Sequence, residues 1–158
     1  YLCDIDNFVL ANGLRGNSRL KILTPLIPPS NSGSPPSNLG DRAFLAITGA
    51  LRENKGLVDL ELRHEPNVAG FTISDETWHA LCDSLKAHPT LEVLQLQRAR
   101  LGSNSLNRYS EALINSRIQA VVGMMKVNRS IHRIQFDVRH YKQHELYQRS
   151  VLPHLKTN

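Results

Sequence analysis

Cysteine is scarce in this sequence: Cys3 and Cys82 are the only two among 158 residues. Two thiols do not make a disulfide framework, and a reducing compartment, cytoplasm or nucleus, is the expected location. Cys82 falls between apolar positions of an expected helix, which predicts a buried, inert thiol. Aromatic residues make up only 6% of the chain, with Trp78 the single tryptophan. A surface poor in Trp and Tyr lacks the usual anchors of tight protein recognition. No apolar run approaches the roughly 18 residues of a membrane span, so no membrane association is expected. No basic-then-apolar leader and no initiator Met opens the chain, which reads as a segment of a longer protein. The formal charge is +5, yet no run of four or more basic residues occurs. Lys and Arg are scattered singly among Asp and Glu, which argues against a nucleic-acid partner.

What the sequence does have is self-similarity. Aligned on the residue that closes each helical stretch, a first unit gives Leu10, Leu14, Asn17, Leu20 and Leu23. The second gives Ile47, Leu51, Asn54, Leu57, Leu60 and Leu62; the third Leu81, Leu85, His88, Leu91, Leu94 and Leu96; the fourth Val121, Met125, Asn128, Ile131, Ile134 and Phe136. The anchors Asn17, Asn54, His88 and Asn128 are offset by 37, 34 and 40 residues, while the spacing inside each unit is constant. This is a repeat with insertions of variable length.

Each unit changes period at its anchor. Upstream, Phe44, Ile47 and Leu51, then Trp78, Leu81 and Leu85, then Ile118, Val121 and Met125 line one face of a helix. Downstream, Leu60 and Leu62, Leu94 and Leu96, and Ile134 and Phe136 alternate with polar residues, as in a short strand. Asn tolerates the left-handed conformation that often ends a helix, and Pro89 stops the helix that His88 closes. Asp41 and Ser74 are expected N-caps. The units lie near 7–26, 41–64, 74–98 and 116–138, the first strand being confined by Pro25. Residues 24–41, rich in Pro, Ser, Gly and Asn, are expected to form a flexible insertion, and 99–117 a second polar insertion running into a helix near Asn115 or Ser116. Val151, Leu155 and Asn158 repeat the helical spacing, with Tyr147 one turn back, so 143–158 reads as a cap or partial fifth unit in which Pro153 predicts a kink.

The phrases ALRENKGLVDLEL (Ala50 to Leu62) and SLKAHPTLEVLQL (Ser84 to Leu96), with weaker copies GLRGNSRLKIL (Gly13 to Leu23) and MMKVNRSIHRIQF (Met124 to Phe136), resemble leucine-rich repeats of the ribonuclease-inhibitor-like class. The resemblance implies an α/β solenoid with parallel strands on the concave face and helices on the convex face. The family's strand phrase continues to an Asn or Cys, where this chain has Pro28, Glu65, Ala99 and Arg139; the usual polar ladder is therefore not expected there. Alternation turns Asp59, Glu61 and Arg63 outward, followed by Val93, Gln95 and Gln97 and by Arg133, Gln135 and Asp137.

Such solenoids present extended concave surfaces to proteins, and these nine residues are the expected partner-binding positions of a non-catalytic scaffold. The alternative is a regulatory or substrate-receptor segment of a GTPase-activating or ubiquitin-ligase protein, both of which use this repeat. Neither catalytic residues nor cofactors are expected: no Gly-rich phosphate cradle follows a strand, and no Ser, His and Asp grouping arises within one loop system. His140 and His144 offer two ligands where zinc needs three or four. His132 alternates with Ile131 and Ile134 and is expected to be partly buried.

Overall fold

The computed structural model describes residues 4–24, 26–27, 39–64, 74–96, 111–136, 145 and 148–155. In chain order the elements are α1 (Asp4–Arg15), β1 (Ile22–Leu23), β2 (Leu26–Ile27), α2 (Leu39–Glu53), β3 (Asp59–His64), α3 (Asp75–Leu85), β4 (Val93–Leu96), α4 (Glu111–Val127), β5 (Arg133–Phe136) and α5 (Leu152–Leu155). The fold is mixed α/β around a parallel sheet. β1 and β2 both pair with β3, β3 pairs with β4, and β4 with β5, every pair parallel. Successive helices pack on one another from α1 to α4, and α5 packs on α4.

The change of period at each anchor is visible in burial. Phe44, Ile47 and Leu51, Trp78, Leu81 and Leu85, and Ile118, Val121 and Met125 are all buried, as are the strand residues Leu60, Leu94, Leu96 and Ile134. The apolar stripe of each helix thus meets the apolar face of the sheet in one core. Leu57, Leu91 and Ile131, each three residues past an anchor, are wholly buried beneath the turns. Cys82 is buried too, and burial pushes its thiol up to about 12, so it stays protonated and unreactive at physiological pH.

The anchors act through their side chains. Asn54 Oδ1 accepts from the N–H groups of Gly56 (3.0 Å) and Leu57 (2.9 Å), while its Nδ2 donates to the carbonyls of Leu14 (2.6 Å) and Asn17 (2.8 Å). Asn128 repeats this geometry: Oδ1 accepts from Ser130 and Ile131, and Nδ2 donates to Leu85 O and His88 O. One amide therefore closes its own turn and ties it to the end of the preceding helix, satisfying carbonyls that a helix C-terminus leaves open. Asn17 Oδ1 closes its turn in the same way, on Arg19 N and Leu20 N. Polar bridges thus join neighbouring turns at Asn54 and Asn128; Pro28, Glu65, Ala99 and Arg139 lie outside the described residues.

Packing between neighbouring turns is close enough to require glycine at Gly56. A Cβ there would fall 2.4 Å from Ser18 O and 2.6 Å from Ser18 C and Cα, all backbone atoms. Gly56→Ala is expected to lower stability by about 1–3 kcal/mol, the usual range for overpacking a tight site, as read by chemical denaturation. An unchanged midpoint would show that the two turns can separate freely.

Several element boundaries differ from the sequence reading, each for a local reason. Ser74 is the N-cap of α3, accepting from Thr77 N at 3.1 Å, but α2 begins at Leu39, which places Asp41 inside the first turn instead of before it. α4 begins at Glu111, earlier than Asn115. Pairing with β3 continues past the expected end of the first strand: β2, at Leu26–Ile27, lies against β3 within the segment expected to be a flexible insertion, and Pro25 lies outside the described residues. Pro153 is the second residue of α5, a first-turn position where its missing N–H has no helical acceptor to lose, so no kink is needed. Val151 is buried and Leu155 partly buried against the core; Tyr147 and Asn158 lie outside the described residues. His132 is exposed, because Ile131 and Ile134 already fill the inward positions on either side of it.

Candidate protein-binding face

The outward positions of the sheet are set by its register. Asp59, Val93 and Arg133 are in-line partners across β3, β4 and β5, and Glu61, Gln95 and Gln135 form the next row. Between them runs the inward row Leu60, Leu94 and Ile134, all buried. Side chains on a strand alternate, so the helices cover one face and the two polar rows occupy the other. The Arg63 side chain, Gln97 and Asp137 lie outside the described residues.

Exposure is graded across the rows. Arg133 and Gln135 on β5 are exposed, Val93 and Gln95 on β4 half-buried, Asp59 half-buried and Glu61 only 7% exposed. β3 and β4 have paired strands on both sides and β5 only one among the described residues, in keeping with the exposed β5 positions; Glu61 is covered more than its β4 neighbour Gln95, which strand pairing alone does not explain. Glu61 therefore departs from the expectation of an open, solvated position. Asp59 has its pKa raised, first by burial and then by repulsion from Glu61, with attraction from Arg133 opposing both. Its Oδ1 is buried and lacks a hydrogen-bond donor among the described residues. Among the described residues the face thus carries an acid on β3 with no donor to its Oδ1 and an exposed cation, Arg133, on β5 that attracts it.

A second polar cluster, which no sequence motif marks, joins α3 to α4. Arg117 is 2% exposed; its Nε donates to Asp75 Oδ1 at 3.1 Å, and its guanidinium lies 5.8 Å from the centre of the Trp78 ring. Trp78 Nε1 donates to Arg117 O at 3.0 Å, so the tryptophan packs in the core, as its helical spacing predicts. Ser116 Oγ sits 3.4 Å from His79 Nε2 and 3.5 Å from Asp75 Oδ2, and His79 Nδ1 is 2.8 Å from Asp75 O. Ser, His and Asp are thus brought together from two helices, though not for chemistry. Ser116 lies within α4, whose N–H groups serve the helix and supply no oxyanion hole, and Asp75 is shared with Arg117. The cluster is a clamp between helices. Only the residue i, i+4 spacing of Asp75 and His79 could have hinted at it; their contact with α4 is tertiary. Among the described residues no group of three His, Cys, Asp or Glu could hold a metal ion, and His140 and His144 lie outside those residues. No described helix is long and apolar enough to cross a membrane.

The fold and face together define a mixed α/β protein with a parallel sheet whose two polar rows lie opposite the helices. No family model matches the chain, and no curated protein matches it in sequence. Among solved structures it is similar to leiomodin-1 actin-binding site 2, with a TM-score of 0.59 and 13% identity over 98% of this chain and 74% of that one. It also aligns with the tropomodulin C-terminal domain of Caenorhabditis elegans, with a TM-score of 0.49 and 16% identity over 96% and 94% of the two chains. The leiomodin-1 likeness is one of fold, and it corrects the expected class: the ribonuclease-inhibitor-like assignment is not supported. The misassignment has a physical origin. The Leu-x-x-Leu-x-Leu phrase reports a helix, turn and strand packed on their neighbours, which many repeat proteins share, and does not encode which class of stack they build.

Proposed function

We propose that the chain is a non-catalytic protein-binding module, a short curved leucine-rich-repeat solenoid that takes its partner on the concave strand face. Asp59, Val93 and Arg133 with Glu61, Gln95 and Gln135 make the contact surface, which Arg63, Gln97 and Asp137 extend. The observation that carries this reading is the pair of in-register polar rows on the sheet face opposite the helices, where no described element covers Arg133 and Gln135. Parallel sheets are usually covered on both sides. Asp59 supports it: an acid held with a raised pKa is a local sacrifice of stability of the kind found at binding sites. Because leiomodin-1 is solved as an actin-binding site, actin is the first partner to test. The GTPase-activating and ubiquitin-ligase alternatives rested on the repeat class and lose their support with it. An intracellular location belongs to this same proposal.

The test is binding of monomeric and filamentous actin, by fluorescence titration and co-sedimentation, with the parent chain and with Arg133→Glu/Gln135→Lys. The double variant is expected to bind at least about tenfold more weakly, roughly 1.4 kcal/mol. Its stability should change by no more than about 0.5 kcal/mol, since both positions are exposed. Equal affinity of the two proteins would move the partner off the strand face. Absence of any actin binding would remove actin, and a pull-down repeated with Arg63, Gln97 and Arg133 mutated together would then test the face alone.

A further inference from the structure

We propose that His88 makes the junction between α3 and β4 a pH-sensitive joint, in which protonation of one buried imidazole breaks the turn that starts β4. His88 occupies the anchor position held by Asn54 and Asn128 and is 3% exposed. Its Nδ1 accepts from Leu91 N at 3.1 Å, which fixes the neutral tautomer with the proton on Nε2. Asn54 and Asn128 use their second group to reach the preceding turn, whereas His88 Nε2 is buried without an acceptor among the described residues. The ring thus closes its own turn and leaves the bridge toward the Leu51 and Asn54 carbonyls unmade.

Protonation converts Nδ1 from acceptor to donor and sets two N–H groups against each other at Leu91, two residues before Val93 opens β4. Among the described residues no anion is placed to offset the new charge. Lys55 and Arg129, on the flanking turns, are cations and exposed, and Glu92 is exposed. Lys86, one turn back, is paired with Asp83 at 2.6 Å. Burial alone holds the imidazole pKa below its ordinary 6.5. A lowered folded-state pKa means that the unfolded chain takes up the proton first as pH falls below about 6.5, so stability is fully present above that value. It is lost on acidification down through the folded-state pKa and then levels off. The partner's identity does not enter.

The experiment compares the full chain with His88→Asn, which restores the anchor residue, in denaturation at a series of pH values between 7.5 and 4.5. The other histidines are common to both proteins. The ratio of the two unfolding constants is expected to shift against the parent by about tenfold for each pH unit by which the His88 pKa is depressed. Parallel pH curves would overturn the proposal. If His88→Asn does not fold, imidazole ¹⁵N spectra of the parent decide. An unprotonated Nδ1 titrating below 6.5, with Leu91 and β4 amides exchanging faster as it protonates, supports the joint. A proton on Nδ1 at neutral pH, or a midpoint at or above 6.5, overturns it.

Discussion

Leu94→Asp is expected to leave no folded protein at room temperature, as read by loss of the cooperative transition in circular dichroism. Leu94 is 2% exposed at the middle of the sheet, in register with Leu60 on one side and Ile134 on the other. Removing its burial forfeits about 1.5–3 kcal/mol. The carboxylate adds several kcal/mol more, because desolvating an unpaired charge is costly and the inward row, Leu60, Leu94 and Ile134, is apolar. The sum is comparable with the total stability of a domain, about 5–15 kcal/mol. Gln135→Asp, one residue past the inward Ile134 but on the exposed row, is expected to change stability by no more than about 0.5 kcal/mol. If the Leu94 variant melts like the parent, or the Gln135 variant collapses, the two faces of the sheet have been exchanged.

That contrast also marks what the sequence makes legible. The inward row is written as alternation, and the helical stripes as spacings of three and four, because both record burial, which is decided residue by residue. The outward row can be named from the same alternation, but its grading cannot. Glu61 is nearly covered and Gln135 is exposed, a difference set by tertiary surroundings that alternation does not record. Asp59 is held with a raised pKa because burial and Glu61 outweigh Arg133, and Arg133 reaches it only through β4. The Arg117–Asp75–Trp78 clamp is hidden for the same reason: its members are 42 and 39 residues apart in sequence. The partner is not written in the repeat at all, since a phrase that specifies packing leaves the outward residues free to vary.

Asn54→Ala is expected to destabilise the protein by about 3–5 kcal/mol, more than any loss of a simple helix cap. Removal of the cap to Gly56 N and Leu57 N alone corresponds to about 0.5–2 kcal/mol. Asn54 is 1% exposed, so the two turn amides and the carbonyls of Leu14 and Asn17 would lose its side chain, at about 1–3 kcal/mol for each group not satisfied another way; Leu14 O keeps the N–H of Asn17, and the Asn17 carbonyl is only part-buried. Asn54→Asp separates the two roles. The carboxylate still accepts from Gly56 and Leu57, but it meets Leu14 O and Asn17 O with no proton to donate, so it is expected to be no better than Ala. Asn17→Ala serves as the reference, because Asn17 is exposed and caps only its own turn, and its expected cost is about 1 kcal/mol. Urea denaturation of the three variants measures the bridge as a difference. If Asn17→Ala and Asn54→Ala cost the same, the amide bridge contributes nothing, and the anchors do no more than end their own helices.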